Sequence, residues 1–127
     1  QWQVSTDSVN YTNLSNSATY GGVTTARLNI NNLPSSMYGT RFRCLVNGNT
    51  STFFTLVFTN KWTGSAGNSW ENNNNWSCGD LPDENTDVII QTGALVINSN
   101  VTIKSIKLSA GASLSVNPGY TLTIKNR

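Results

Sequence analysis

The sequence predicts an all-β chain. Apolar residues recur at every second position in many short segments, and no window keeps the i, i+3, i+4, i+7 spacing of an amphipathic helix. Gly, Pro and Asn clusters separate these segments, as they do between strands. Only 11% of the 127 residues are charged, and Ser, Thr and Asn are abundant. Such a composition favours strands and turns over helix interiors.

The predicted strands form two groups that divide near Thr59–Asn60, which indicates one domain over residues 1–59 and a second over residues 60–127. The first group comprises "ARLNINNL", "RFRCLV" and "TFFTLVF", at a spacing typical of a sandwich. The second group comprises "DVII", "ALVINS", "TIKSIKLS", "ASLSV" and "TLTIK". A chain of 127 residues is long enough for two small domains.

A weak internal repeat runs through the second group. The segments "TGALVI", "AGASLSV" and "PGYTLTI" each place a Gly before an alternating Leu–x–(Val/Ile) core. Gly93 and Gly111 are 18 residues apart, which fits one turn of a β-solenoid, and Gly119 follows after eight, which fits a second face of that turn. Such short repeats bury their apolar face only by stacking. A small antiparallel sandwich with similar hairpins is the alternative.

The segment "KWTGSAGNSWENNNNWSCG" places Trp62, Trp70 and Trp76 in a turn-rich loop. As a cap, the three indoles would cover the first rung of the solenoid, each burying about 150–250 Å². Asn72 to Asn75 would then supply left-handed turns and side-chain bonds to the backbone. As a ligand-stacking platform for sugars, at least two of the rings would be exposed and coplanar. We favour the cap.

The segment "GDLPDENTD" clusters Asp80, Asp83, Glu84 and Asp87. Carboxylates beside Asn oxygens suit Ca²⁺, so Asp80, Asp83 and Asp87 are candidate metal ligands, although their spacing is not that of an EF-hand. A solvated acidic turn is the alternative that we favour. A glycosidase acid–base pair is disfavoured because no second acidic strand faces this loop.

The chain has no histidine, which removes the commonest general base and the commonest metal ligand. A Ser–His or Cys–His nucleophile cannot form within it. Cys44 and Cys78 lack a CxxC pattern, so no zinc site is expected. We expect both thiols to be unpaired, although in an oxidising compartment they could pair. The sequence therefore predicts no catalytic residue and no cofactor.

The eight basic residues are scattered and the net charge is +2, so a nucleic-acid partner is not predicted. No apolar stretch reaches the roughly 20 residues of a membrane span, so membrane insertion is not predicted. Low charge with abundant Ser, Thr and Asn indicates an extracellular or cell-surface protein. Because the sequence begins at Gln1 without a signal-like segment, a processed product or a piece of a longer protein is expected.

In "YGTRFRCLV", Phe42 lies two residues before Cys44 on an alternating strand, and Trp2 lies near the start of the sequence. On these residues, the segment 1–59 resembles an immunoglobulin-like domain from strand C to strand G, with Phe42 and Cys44 placed as in strand F and Trp2 similar to the buried tryptophan of strand C. Phe42 departs from the tyrosine of that pattern. The resemblance implies an incomplete sandwich with Cys44 buried. Strands A and B are then expected either from a longer parent or from another chain.

The order W-T-G, S-W, N-W-S-C-G, L-P, D-V-I-I, T-G over residues 61–127 resembles a module of large secreted surface proteins of Bacteroidetes-type bacteria, and also the G8 domain. The resemblance implies a short β-helical module in an adhesin-like protein, with no catalytic residues to carry over. In "DSV", Ser8 looks like the acceptor of an O-glycosylation signal from such bacteria.

These observations predict a structural or adhesive module of a secreted, cell-surface multidomain protein, and not an enzyme. The final apolar segment "TLTIKNR" has no evident cap, so either further rungs follow or the face docks onto another copy, as in a filament. The expected partners are other domains of a parent chain, other copies of the chain, or surface glycans. The alternative is a carbohydrate-binding module that uses the loop tryptophans.

Overall fold

The computed structural model describes residues 1–126 and divides the chain into two compact units, Gln1–Val57 and a second that begins at Phe58. Strands dominate both, and helical structure within the described residues is limited to two 3₁₀ turns, so the all-β prediction is confirmed. The boundary falls two residues before the predicted Thr59–Asn60, because Phe58–Lys61 pairs with a strand of the second unit. Within residues 1–126, no helix has the length and apolar character to cross a membrane.

Unit 1 is built from short antiparallel strands. They are β1 (Trp2–Ser5), β2 (Thr12–Asn13), β3 (Tyr20–Gly21), β4 (Asn29–Ile30), β5 (Arg41–Val46), β6 (Asn49–Thr50) and β7 (Phe54–Thr55), with a 3₁₀ turn at Ser35–Met37. A five-stranded sheet has the order β2–β1–β5–β6, with β7 also paired to β5, and β3 pairs with β4 separately. Strands β1 and β5 form the longest ladder of the unit.

The core of unit 1 lies on one face of this sheet. Trp2 is opposite Cys44 and Val4 is opposite Phe42 in the β1–β5 ladder, so all four side chains share that face. Phe42 is fully buried and stacks on Phe54 at a centroid distance of 5.1 Å. Cys44 is a free, half-buried thiol, so it is less enclosed than the immunoglobulin resemblance implies.

Unit 2 is a parallel β-solenoid. Its strands are β8 (Phe58–Lys61), β9 (Thr86–Ile90), β10 (Gly93–Ile97), β11 (Val101–Ile103), β12 (Ser105–Leu108), β13 (Ala112–Val116) and β14 (Leu122–Ile124), with a 3₁₀ turn at Asn73–Asn75. The ladders β8–β9–β12, β10–β13 and β11–β14 are all parallel. We call β9–β11 the first rung and β12–β14 the open rung. Of the two predicted alternatives, the solenoid is the one observed.

Glycines mark the corners between the faces. Gly93, Gly111 and Gly119 have φ angles of 88°, 88° and 90°, in the left-handed region that residues with a Cβ rarely adopt. Gly93 and Gly111 lie at the same corner of successive rungs, since Gly93 is paired with Ala112. Gly119 lies at the next corner of the open rung, before β14. The glycine repeat in the sequence therefore corresponds to the turns of the solenoid.

Candidate functional site

Residues 62–76 form a loop, here called the tryptophan cap, that covers the β8 side of the first rung. Ser69 forms a parallel bridge with Val96 of β10. The N–H of Trp70 donates to the Val96 carbonyl over 2.9 Å, and the N–H of Val96 donates back to the Asn68 carbonyl over 2.8 Å. The cap is thus attached to β10 by one parallel bridge, next to the face on which β8 already pairs with β9.

The three cap indoles are interior. Trp62, Trp70 and Trp76 are 8%, 1% and 3% exposed and pack with the apolar side chains of the first rung. Trp76 meets Trp70 edge-on at 4.6 Å and Trp62 at 5.3 Å, and its indole N–H donates to the Trp70 carbonyl over 2.9 Å. This is the arrangement expected of a cap. The ligand-stacking prediction for these residues needs open, coplanar rings, and buried T-shaped rings do not provide them.

Asn75 holds the cap loop together from inside. Its side chain has no exposed surface. The Oδ1 atom accepts the N–H of Ala66 over 2.6 Å, and Nδ2 donates to the Ser69 carbonyl over 3.0 Å. Both polar atoms of the buried amide are thereby satisfied. The sequence grouped Asn72 to Asn75 as turn residues, but none of them has a positive φ. Nothing in the sequence distinguished Asn75 from its neighbours.

Glu71 joins the cap to the corner between β10 and β11. One carboxylate oxygen accepts from the N–H of Asn98 over 2.7 Å and from the Ser99 hydroxyl over 2.9 Å, and the other accepts from the Ser69 hydroxyl over 2.8 Å. Burial raises the pKa of Glu71, but these hydrogen bonds outweigh it and the pKa is lowered overall. Sequence reasoning did not single out this residue, because its partners Asn98 and Ser99 lie 27 and 28 positions away.

The acidic segment is not gathered into a metal site. Within residues 1–126, no three carboxylate or thiol groups come close enough to hold an ion. Asp83 instead accepts from the Thr86 hydroxyl over 2.7 Å, and Asp87 accepts from Ser105 on the next rung over 2.5 Å. This arrangement gives no support to Asp80, Asp83 and Asp87 as calcium ligands, and calcium binding by them stays a prediction. Asp83 and Asp87 serve the local turn and the strand ladder.

The O-glycosylation candidate Ser8 lies in an exposed turn of unit 1 with a φ of 67°. The preceding Asp7 carboxylate organises that turn by accepting from the backbone N–H groups of Val9 and Asn10 and from the side chains of Asn10 and Ser5. These bonds, the backbone ones first, hold the pKa of Asp7 far below its usual range. Modification of Ser8 stays a prediction.

Both cysteines are free thiols. Cys44 lines a shallow hollow of about 460 Å³ in unit 1, together with Gln1 and Thr25. Cys78 is exposed, and its sulfur lies 3.6 Å from the Thr59 carbonyl oxygen. The prediction of unpaired cysteines agrees with this arrangement.

The open rung differs from the first rung in exposure. Leu108 is 48% exposed, whereas its ladder partner Ile90 is fully buried. Ile124 is 39% exposed, whereas its partner Ile103 is fully buried. Among residues 1–126, β12, β13 and β14 have no strand on their outer edge. Within residues 1–126, unit 2 therefore has one end covered by the tryptophan cap and one end where apolar side chains and strand edges are exposed.

Residues 61–127 match the family described as a domain of unknown function (DUF8693), and since this is more than half of the chain, the chain belongs to that family. No curated protein and no solved structure matches the chain. The matched segment contains the tryptophan cap and both rungs, so in this chain the family's segment folds as the capped solenoid. The immunoglobulin-like and G8 resemblances stay predictions.

Proposed function

We propose that this chain is a non-catalytic structural module of a secreted, cell-surface multidomain protein, and that its solenoid joins a second copy through the open rung. The observation that carries the proposal is the contrast between ladder partners, fully buried at Ile90 and half exposed at Leu108. Covering that surface with another rung would remove apolar area from water and pair the free strand edge.

The capped end favours a twofold dimer over a head-to-tail filament. Asn73 and Asn74 are exposed on the cap, so that end presents polar groups where an apolar rung would have to dock. Two open rungs instead present the same apolar surface to each other, and a twofold axis closes such a contact into a dimer. A filament of the predicted kind needs a head-to-tail contact between unlike ends, which the cap disfavours.

A non-catalytic role is supported by how the carboxylates are used. Asp7, Glu71 and Asp83 each accept hydrogen bonds from backbone N–H groups or hydroxyls of their own loop or its neighbour. A catalytic acid or base is normally held in a cleft with its pKa moved towards the working pH. The pKa values of Asp7 and Glu71 are instead lowered, which is the opposite direction for a carboxyl group.

The surface location and the multidomain parent rest on composition and on the two resemblances. The low charged fraction of 11% supports an extracellular setting. In unit 1, the pairing of Trp2 with Cys44 on adjacent antiparallel strands supports an immunoglobulin-like arrangement of strands C and F. The alternative, a carbohydrate-binding module that uses the loop tryptophans, needs exposed rings, and all three of these rings are buried.

Sedimentation velocity from about 1 µM to about 1 mM tests the self-association. The proposal expects a dimer that Ile124→Lys abolishes, because the ammonium group would be buried in the contact. Thr123→Lys is the matched control, since it adds the same charge at the adjacent, outward-facing position. A chain that stays monomeric throughout, or equal loss in both variants, would contradict the proposal.

A further inference from the structure

Unit 1 carries the whole net charge of the protein. Residues 1–57 contain Arg27, Arg41 and Arg43 but only one acidic residue, Asp7, so their formal charge equals the +2 of the full chain. The Asp7 carboxylate is already occupied by donors of its own turn. Unit 1 therefore offers its arginines no free carboxylate.

Two of these arginines lie on one face of the five-stranded sheet. Arg41 and Arg43 flank the buried Phe42 in β5, so alternation directs both to the face opposite the core. Side chains two positions apart on a strand begin about 7 Å from each other. We call this surface the arginine face.

Arg43 is held in a fixed orientation by a row of side chains across three strands. Its Nε donates to the Gln3 side-chain oxygen over 2.9 Å, and the Gln3 amide donates to the Asn13 side-chain oxygen over 2.9 Å. The guanidinium also lies 3.7 Å from the centroid of the Tyr11 ring. These contacts use Nε and one face of the group, and they leave the two terminal NH₂ groups available.

Arg41 is oriented by an aromatic ring alone. Its guanidinium lies 4.3 Å from the centroid of Phe53, a ring that is itself 51% exposed. Within residues 1–126, the Arg41 guanidinium has no hydrogen bond or ion pair beside this contact. Two arginines are thus positioned on aromatic rings, while most of their N–H donors have no acceptor within residues 1–126.

We propose that the arginine face binds an acidic polysaccharide. Oriented guanidinium groups suit carboxylate or sulfate oxygens, which accept two parallel N–H bonds. The Gln3 and Asn13 amides beside Arg43 suit sugar hydroxyls, and exposed Phe53 offers apolar contact. This inference goes beyond the assembly proposed above and does not depend on it.

A nucleic acid fits the same surface less well. Two cations neutralise few phosphates, and nucleic-acid affinity depends on several such contacts. Base stacking also needs open aromatic faces, whereas Tyr11 and Phe53 each have one face covered by a guanidinium. The experiment below therefore compares single-stranded DNA with an acidic polysaccharide.

Affinity electrophoresis in gels that contain polygalacturonate, heparin or neutral dextran tests the proposal. We expect retardation by the two acidic polymers and not by dextran. Arg41→Gln and Arg43→Gln should each weaken binding about tenfold, as expected for one hydrogen-bonded charge. Arg43→Lys should bind the acidic polymers more tightly than Arg43→Gln but less tightly than the unmodified chain, because lysine keeps the positive charge but lacks the paired N–H donors of the guanidinium group.

Arg27→Gln is the matched control, since it removes the same charge from an exposed loop between β3 and β4. Its affinity should stay within about twofold of the unmodified chain. Equal losses in Arg27→Gln and Arg41→Gln would overturn the proposal, as would no retardation by either acidic polymer or equal retardation by dextran. Tighter binding of single-stranded DNA than of heparin would assign the face to nucleic acid instead. Arg41→Gln breaks no hydrogen bond of the fold, so it stays informative if Arg43→Gln unfolds unit 1.

Discussion

Trp76 donates its indole N–H to the backbone carbonyl of Trp70 over 2.9 Å, and the two rings meet edge-on at 4.6 Å. This pair closes one end of the solenoid. Its indoles pack among apolar side chains of the first rung, which are themselves buried from solvent. The stability of unit 2 should therefore depend on the cap more than on any exposed aromatic residue.

Trp70→Ala should destabilise unit 2 by about 3–5 kcal/mol, because it removes a buried indole and leaves a cavity. Urea unfolding followed by tryptophan fluorescence measures this, since the remaining cap tryptophans report on unit 2. Tyr120→Ala, at a half-exposed aromatic residue of the same unit, is the control and should cost under about 1 kcal/mol. Comparable losses in the two variants would argue against the cap.

Asn75→Ala should cost about 2–4 kcal/mol, because the Ala66 N–H and the Ser69 carbonyl would lose their buried partner. Asn74→Ala removes an identical side chain from an exposed position one residue earlier, and it should change stability by less than about 0.5 kcal/mol. Thermal unfolding of the two variants side by side checks this. If the two variants unfolded at the same temperature, the hydrogen bonds of Asn75 would not contribute to stability as we expect.

Glu71→Gln should weaken unit 2 in a pH-dependent way. Because the pKa of Glu71 is lowered in the folded state, its contribution to stability is present above the ordinary value of 4.5 and is lost as pH falls through the folded pKa. The difference between the unmodified chain and the variant should be about 1–3 kcal/mol at pH 7 and should shrink below pH 4.5. Urea titrations from pH 7 to about pH 3 follow it. A difference that did not change with pH would refute the role given to the carboxylate.

Calcium should leave the thermal stability unchanged, because Asp83 and Asp87 accept hydrogen bonds from Thr86 and Ser105, and no three carboxylates within residues 1–126 come close enough to hold an ion. The midpoint of unfolding should be the same in calcium and in a chelator. A calcium-dependent rise of several degrees would show preferential binding to the folded state and would restore the metal prediction.

The strands and the repeat could be predicted from the sequence, because alternation and glycine spacing are local signals. Gly93 and Gly111 were found by their spacing, and both have the left-handed φ that a corner needs. The pairing of Phe58 with Thr86 was not visible, since it joins residues far apart in sequence, and the domain boundary shifted with it.

The candidate site was predicted less completely. A loop rich in tryptophan is consistent with burial and with exposure, and only its path over the first rung decides between them. Closeness in sequence likewise suggested a calcium site at Asp80, Asp83 and Asp87. Asp87, however, lies within β9 and bonds to the next rung, while Asp83 closes a turn. Glu71 and Asn75 carried no local signal, because their roles depend on partners that the fold brings together.

Hydrogen exchange measured by mass spectrometry at low and high protein concentration tests most directly the claim that one end is capped and the other open. In the dilute chain, amides of β9 should be strongly protected and amides of β12 should exchange faster. Raising the concentration should protect β12–β14 and leave the cap unchanged. Equal protection of β9 and β12 in the dilute chain, or protection that appears on the cap when the concentration rises, would contradict the account.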